Sequence, residues 1–149
     1  MRTRQLSMLL ALAVALAGCG DLGLGLDGRD VEGTYALDGE VYGEPAHSVA
    51  GFLRIDERRR GDLDAYLDWN YREGAYTVVE IETEVPARVA SNGYDRVTFD
   101  FEGQLWTGSR YVSFLLEHEG RVDRRVIRGT WRFRTGHGID ERGEFVARR

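Results

Sequence analysis

Cys19 is the sole cysteine of the 149-residue chain and sits in the stretch LAGCGD. A lone thiol can serve as a nucleophile, a metal ligand or a point of covalent attachment, but it cannot close an intrachain disulfide. The partners a nucleophile or a metal would need are not spaced for it. His47, His118 and His137 stand far apart, without the i, i+2 or i, i+4 spacing that brings two imidazoles to one ion. Glu117 and Glu119 flank His118, so in a strand both carboxylates point away from the histidine's face. The acids Asp21, Asp27 and Asp30 lack the ligand spacing of a calcium loop. Neither a Gly-x-Ser-x-Gly elbow nor a glycine-rich phosphate loop occurs. The pattern yields no catalytic set, no metal set and no cofactor motif, and the expectation is a binding or interaction protein rather than an enzyme.

The surroundings of Cys19 point to attachment. Met1 to Arg4 carries two arginines and no acid, and residues 6–18 are almost wholly apolar. That run is shorter than the roughly 20 residues a spanning helix needs. A basic start, a short apolar core and a small-residue exit form a secretory signal. Leu16-Ala17-Gly18-Cys19 resembles the lipobox of bacterial lipoproteins. The resemblance implies a signal peptide over 1–18, diacylglycerol on the Cys19 thiol, acylation of its freed amine and anchoring in a lipid membrane. Two or more acyl chains anchor stably, where one does so only marginally. Residues 20–30, GDLGLGLDGRD, read as a flexible tether spanning about 18 Å. Gly20, rather than aspartate, follows the cysteine, which favours the outer membrane, facing the periplasm.

One domain is expected over 31–149, enough chain to bury about two-thirds of its unfolded surface. The net charge is −5, and it becomes −7 once Arg2 and Arg4 leave with the signal, which argues against nucleic-acid binding. From Val31 onward apolar and polar residues alternate, with glycine at nearly every break and no sustained helical period. About eight strands follow, near 31–38, 48–56, 62–71, 75–85, 94–101, 104–118, 121–134 and 139–148. FEGQ and HEGR read as two-residue turns at Glu102-Gly103 and Glu119-Gly120. They would pair Phe99 with Trp106 and Val112 with Ile127, and turn Trp106, Arg110, Phe114 and Leu116 inward. YREGA reads as a three-residue loop with left-handed Gly74, pairing Trp69 with Thr77. SNGY signals a further turn, with an irregularity expected near Pro86. Phe133 opposite Ile139 would bring Gly129 and Gly143 face to face and leave space inside.

Arginine supplies all 20 basic residues. Arg124, Arg128, Arg132 and Arg134 share one face of the seventh strand, and Ile127, Gly129, Trp131 and Phe133 the other. The arginine face suits either an anionic lipid or glycan, or ion pairs with acids of neighbouring strands. Arg110 and Arg125 fall inward by these registers, where a cation needs an acid, water or a ligand anion. Asp123 is the acid expected to meet Arg125.

The fold expected is all-β, an antiparallel up-and-down barrel of about eight strands, because closure removes exposed sheet edges. A β-sandwich and an open meander are the alternatives. The opening GTYAL and the closing GTWRF…GEFVARR resemble the ends of lipocalin-like and avidin-like barrels, with Tyr35 where tryptophan would stand and Arg148 or Arg149 as the terminal arginine. That resemblance implies a module holding a small apolar or amphipathic ligand, with Trp69, Tyr71, Trp106, Arg110, Phe114, Arg125, Trp131 and Phe145 lining the interior. Residues 39–47 would lie over one mouth as a lid. The alternative is a filled barrel acting on a partner through its loops. TGSRYV, within a strand by the registers above, resembles the SG…ARYV loop of membrane-bound lysozyme inhibitors.

Overall fold

The computed structural model describes residues 31–59, 62–83, 87–91 and 95–149. The apolar leader, Cys19, the tether, Pro86 and the centre of SNGY lie outside them. Nine strands follow in order: β1 (Gly33–Val41), β2 (His47–Arg59), β3 (Asp62–Glu73), β4 (Tyr76–Glu82), β5 (Ala87–Ser91), β6 (Arg96–Trp106), β7 (Tyr111–Asp123), β8 (Val126–Thr135) and β9 (Asp140–Arg148). Each pairs antiparallel with its neighbours, and both β1–β9 and β2–β3 ladders form, so the sheet closes on itself. β4 and β5 share one edge of β3, through Trp69↔Ile81 and Ala65↔Ala87 respectively. They act as one interrupted stave, and the architecture is the expected eight-stave up-and-down barrel.

Alternation sets the core, since successive side chains of a strand point to opposite faces. Tyr35, Leu37, Leu53, Ile55, Trp69, Phe99, Phe101, Leu116, Ile127, Trp131 and Phe145 are all buried inside. Trp69 and Trp131 meet edge to face at 5.6 Å between centroids, and the Trp131 indole donates to the Glu40 carbonyl at 3.2 Å. Aromatic pairs in this geometry contribute beyond their buried area.

Two turns are not where FEGQ and HEGR suggested. β6 runs through Gly103 and β7 through Gly120, and the reversals fall at Thr107–Arg110 and Arg124-Arg125. The reason is close approach. A Cβ on Gly103 would stand 2.7 Å from the Phe114 ring, and one on Gly120 would stand 2.7 Å from Ile127. Glycine in these strands makes room for neighbours and does not end them. The registers shift accordingly: Phe99 faces His118, Trp106 faces Tyr111, Val112 faces Leu105 and Phe114 faces Thr135. Gly74 is left-handed as expected, at φ 58°, but the turn has two residues and a bulge at Val78, so Trp69 faces Ile81. Gly143 faces Trp131 and Gly129 faces Phe145 and Gly120. Those glycines admit aromatic rings and neighbouring backbone, and do not leave an internal void.

Candidate functional site

The up-and-down path puts the β1–β2, β3–β4, β6–β7 and β8–β9 turns at one end of the barrel. Val31, the β7–β8 turn and the C-terminus lie at the other. The two ends differ chemically. At the terminal end Tyr35 is fully buried and its hydroxyl donates to the Val31 carbonyl at 2.8 Å. Arg149 lies over the Tyr35 ring at 5.9 Å and donates to the Glu32 carbonyl. Arg149, rather than Arg148, makes these contacts. Val31, Tyr35 and Arg149 close this end.

The turn end is open along one side. Among the described residues, the β5–β6 ladder runs only as far as Arg88↔Asp100, β6 continues to Trp106, and β4 pairs with β3 and not with β6. A breach therefore separates β4 from the upper part of β6. It forms a cleft of about 640 Å³, with Val78, Val79 and Glu80 on one bank and Leu105 and Trp106 on the other. Val112 and Phe133 lead from it towards the core, and Arg110, His137 and Ile139 stand at its rim. Among the described residues, six of the seven large apolar side chains left exposed lie at this end: Tyr42, Tyr76, Val78, Trp106, Tyr111 and Ile139. Phe52, on the flank of β2, is the seventh. A concentration of this kind at a concave opening is compatible with an interaction or ligand site.

The remaining walls of the mouth are fixed. The Tyr42 amide donates to the Arg142 carbonyl at 2.9 Å, and the Gly74 amide to the Ala46 carbonyl at 2.8 Å. The Tyr42 hydroxyl bonds Glu144 at 3.0 Å, and that acceptor carboxylate raises its pKa above the usual phenol value. Residues 39–47 are thus the end of β1, a pinned turn and the start of β2, not a lid. Tyr71 stands half-buried in the mouth, where partial burial and then the charges of Glu141, Glu44 and Glu73 raise its pKa.

Of the eight interior residues expected, Trp69, Phe114, Trp131 and Phe145 are buried in the barrel, and Tyr71 lies at its mouth. Trp106 is not inside: it is 58% exposed. Arg110 and Arg125 are not inside either; both sit exposed in turns, and so does Asp123 at the end of β7. No buried cation has to be neutralised at these positions, which is the physical preference. The arginine face of β8 points outward as expected, and its upper half is paired. Arg132 grips Asp140 with two bonds of 2.7 and 2.5 Å, and Arg134 reaches Glu117 at 2.7 Å.

Sequence reasoning missed His118. It is not at a hairpin end but in mid-β7, 2% exposed, between Phe145 at 5.1 Å and Phe101 at 6.0 Å. Neither ring nitrogen has a hydrogen-bond partner, and burial lowers its pKa to about 3. The imidazole is therefore neutral and serves the core as an aromatic ring.

Comparison with known proteins adds little to this geometry. No family model matches the chain. No curated protein matches it. Among solved structures, a de novo designed fluorescence-activating β-barrel aligns over 82% of this chain and 96% of its own at 11% identity, with a TM-score of 0.40. The barrel assignment stands on the ladders of the chain itself.

Proposed function

We propose that the protein is a lipid-anchored module of the cell envelope that binds a small apolar or amphipathic ligand at the breach between β4 and β6. Cys19 is the point of lipid attachment, residues 1–18 are the signal peptide, and the domain faces the periplasm from the outer membrane. The observation that carries the binding reading is the apolar concentration at one end: Val78, Trp106 and Ile139 flank a cleft that leads to Phe133. An apolar chain placed there would cover exposed side chains and shield β4's flank from water. Arg110 and His137 at the rim leave room for a polar head. Native mass spectrometry of protein purified from its own envelope tests the reading. Co-purification of a small molecule that Trp106→Ala loses supports it, and bare protein in both cases counts against it.

A specific observation also favours the second reading, a partner engaged through loops. Thr107–Arg110 is an exposed turn and not mid-strand, closed by the Thr107 amide on the Arg110 carbonyl at 3.0 Å. It presents Trp106 and Tyr111 side by side at 5.1 Å. The TGSRYV resemblance to the loop of membrane-bound lysozyme inhibitors therefore falls on a loop. A lysozyme inhibition assay with Arg110→Ala as control separates this reading from ligand binding.

The anchor has its own test. Cys19→Ser should abolish lipid modification and leave the precursor unprocessed. Unchanged detergent partitioning of that variant would refute it.

A further inference from the structure

The arginine face of β8 divides into two halves. Arg132 and Arg134, towards the mouth, are held by Asp140 and Glu117. The half at the closed end is different. Arg128 stands directly opposite Arg121, which stands opposite Arg96, giving a row of three guanidinium groups across β8, β7 and β6. Arg124 and Arg125 form the adjoining turn, and the Arg149 amide donates to the Arg125 carbonyl at 2.9 Å. Like charges placed opposite each other on a sheet repel.

The acids at this end meet only part of that charge. Glu119 pairs with Arg96 at 3.1 Å, Asp95 with Arg121 at 3.8 Å and Asp38 with Arg148 at 3.5 Å. Asp123 and Glu32 are also present and exposed, and across this end Asp56 and Asp64 pair with Arg54 and Arg58. Among the described residues, Arg124, Arg125 and Arg128 have no ion-pair partner. These three arginines leave positive charge unpaired at the closed end of a chain whose net charge is −5. Arg124 takes φ 57°, a conformation arginine seldom adopts.

We propose that this closed end docks on the anionic headgroups of the membrane that carries the anchor, with Arg124, Arg125 and Arg128 as the contact, so that the mouth points away from the bilayer. The inference rests on the anchor reading of Cys19. Two observations select a lipid surface as the occupant. The charge is complementary to anionic phospholipid, and the chain upstream of Val31, which holds Cys19 and the apolar run, joins the barrel at this same end. Only eleven residues separate Cys19 from Val31, so an anchor at Cys19 keeps this face near the surface. Attraction to anionic lipid falls off within a Debye length, so proximity is what makes the patch effective. The lipid-borne tether supplies the proximity and the arginines supply the orientation.

The test uses the lipidated full chain in vesicles. Since Cys19 is blocked by lipid, an introduced cysteine is the free thiol for a fluorophore. Thr34→Cys reports from the closed end and Ser109→Cys from the mouth; both positions are exposed. Vesicles carry a headgroup quencher and either 30% phosphatidylglycerol in phosphatidylcholine or phosphatidylcholine alone. The Thr34 label should be quenched in the anionic vesicles and not in the neutral ones, and the Ser109 label in neither. Exchanging the contact for Arg124→Asn, Arg125→Ser and Arg128→Thr should cut the docked-to-free ratio about 100-fold at low salt. Salt at 0.5 M should do the same to the parent without any substitution.

Equal quenching in both compositions, or a triple variant that docks like the parent, overturns the docking while leaving the anchor intact. Protein that floats with neither vesicle overturns the anchor and this docking with it. If instead the triple variant loses binding to a polyanionic glycan with its vesicle quenching unchanged, the face belongs to that partner and the proposal fails.

Discussion

Acid should destabilise this barrel earlier than its carboxylates require, and His118 is the reason. Its imidazole is enclosed by Phe101, Phe145 and the neighbouring strand positions Phe99 and Trp131, with no acceptor or donor on either nitrogen. Burial lowers its pKa from 6.5 to about 3. The folded state therefore binds this proton less readily than the unfolded chain. The stability contributed by keeping the ring neutral is complete above pH 6.5 and is lost as pH falls towards 3. Linkage gives about 1.4 kcal/mol per pH unit below 6.5, so about 2 kcal/mol at pH 5 and about 4 near pH 3. His118→Leu removes both the titration and two unpaired polar atoms. Its urea unfolding free energy at pH 7 should match or exceed that of the parent by about 1–2 kcal/mol. Between pH 7 and 5 the parent should lose about 2 kcal/mol relative to the variant. Carboxylate pairs such as Arg132–Asp140 are common to both proteins and cancel in the difference. Parallel stability curves for the two proteins would show that His118 gains water or a partner, and the reasoning would fail.

Three further outcomes follow from the packing. Trp131→Ala should cost about 3–5 kcal/mol in urea unfolding, because the indole fills the space over Gly143 and against Trp69; a neutral result would mean the ring is not core. Gly143→Ala should cost at least about 2 kcal/mol, since its Cβ would meet the Glu40 carbonyl at 1.6 Å, and an unshifted melting curve would contradict the β1–β9 register. Trp106→Ala should change stability by less than about 1 kcal/mol while removing the fluorescence response to a hydrophobic probe; a large destabilisation would return the side chain to the interior.

The inward faces were legible in the sequence, because burial on one side of a strand leaves its mark at every second residue. Phe114, Trp131, Phe145 and Trp69 fell inside as alternation required. The turns were less legible. Glycine before a polar residue signals a reversal in FEGQ and HEGR, yet the same glycines clear space for Phe114 and Ile127 within continuous strands. The true β7–β8 turn is Arg124-Arg125, a pair with no turn chemistry of its own, held by the ladders on either side. One misplaced reversal then inverts parity: with the turn at Thr107–Arg110, Phe114 stays inward but Trp106 moves outward. Of the site, only the residue types at its rim could be read. The breach itself arises from β4 and β5 sharing an edge of β3, a long-range pairing with no local signal. The burial of His118 was hidden for a similar reason: a histidine between two glutamates looks solvated until the strand containing it is known to be continuous.

Amide chemical-shift mapping shows whether ligand enters at the breach between β4 and β6. On titration with a medium-chain fatty acid or alkanol, saturable shifts should concentrate at Val78 to Glu80, Leu105 to Arg110 and Ile139. The closed end around Tyr35 and Arg149 should stay still. Shifts spread over the flanks, or confined to the closed end, or absent at saturating probe, would rule out entry at the breach.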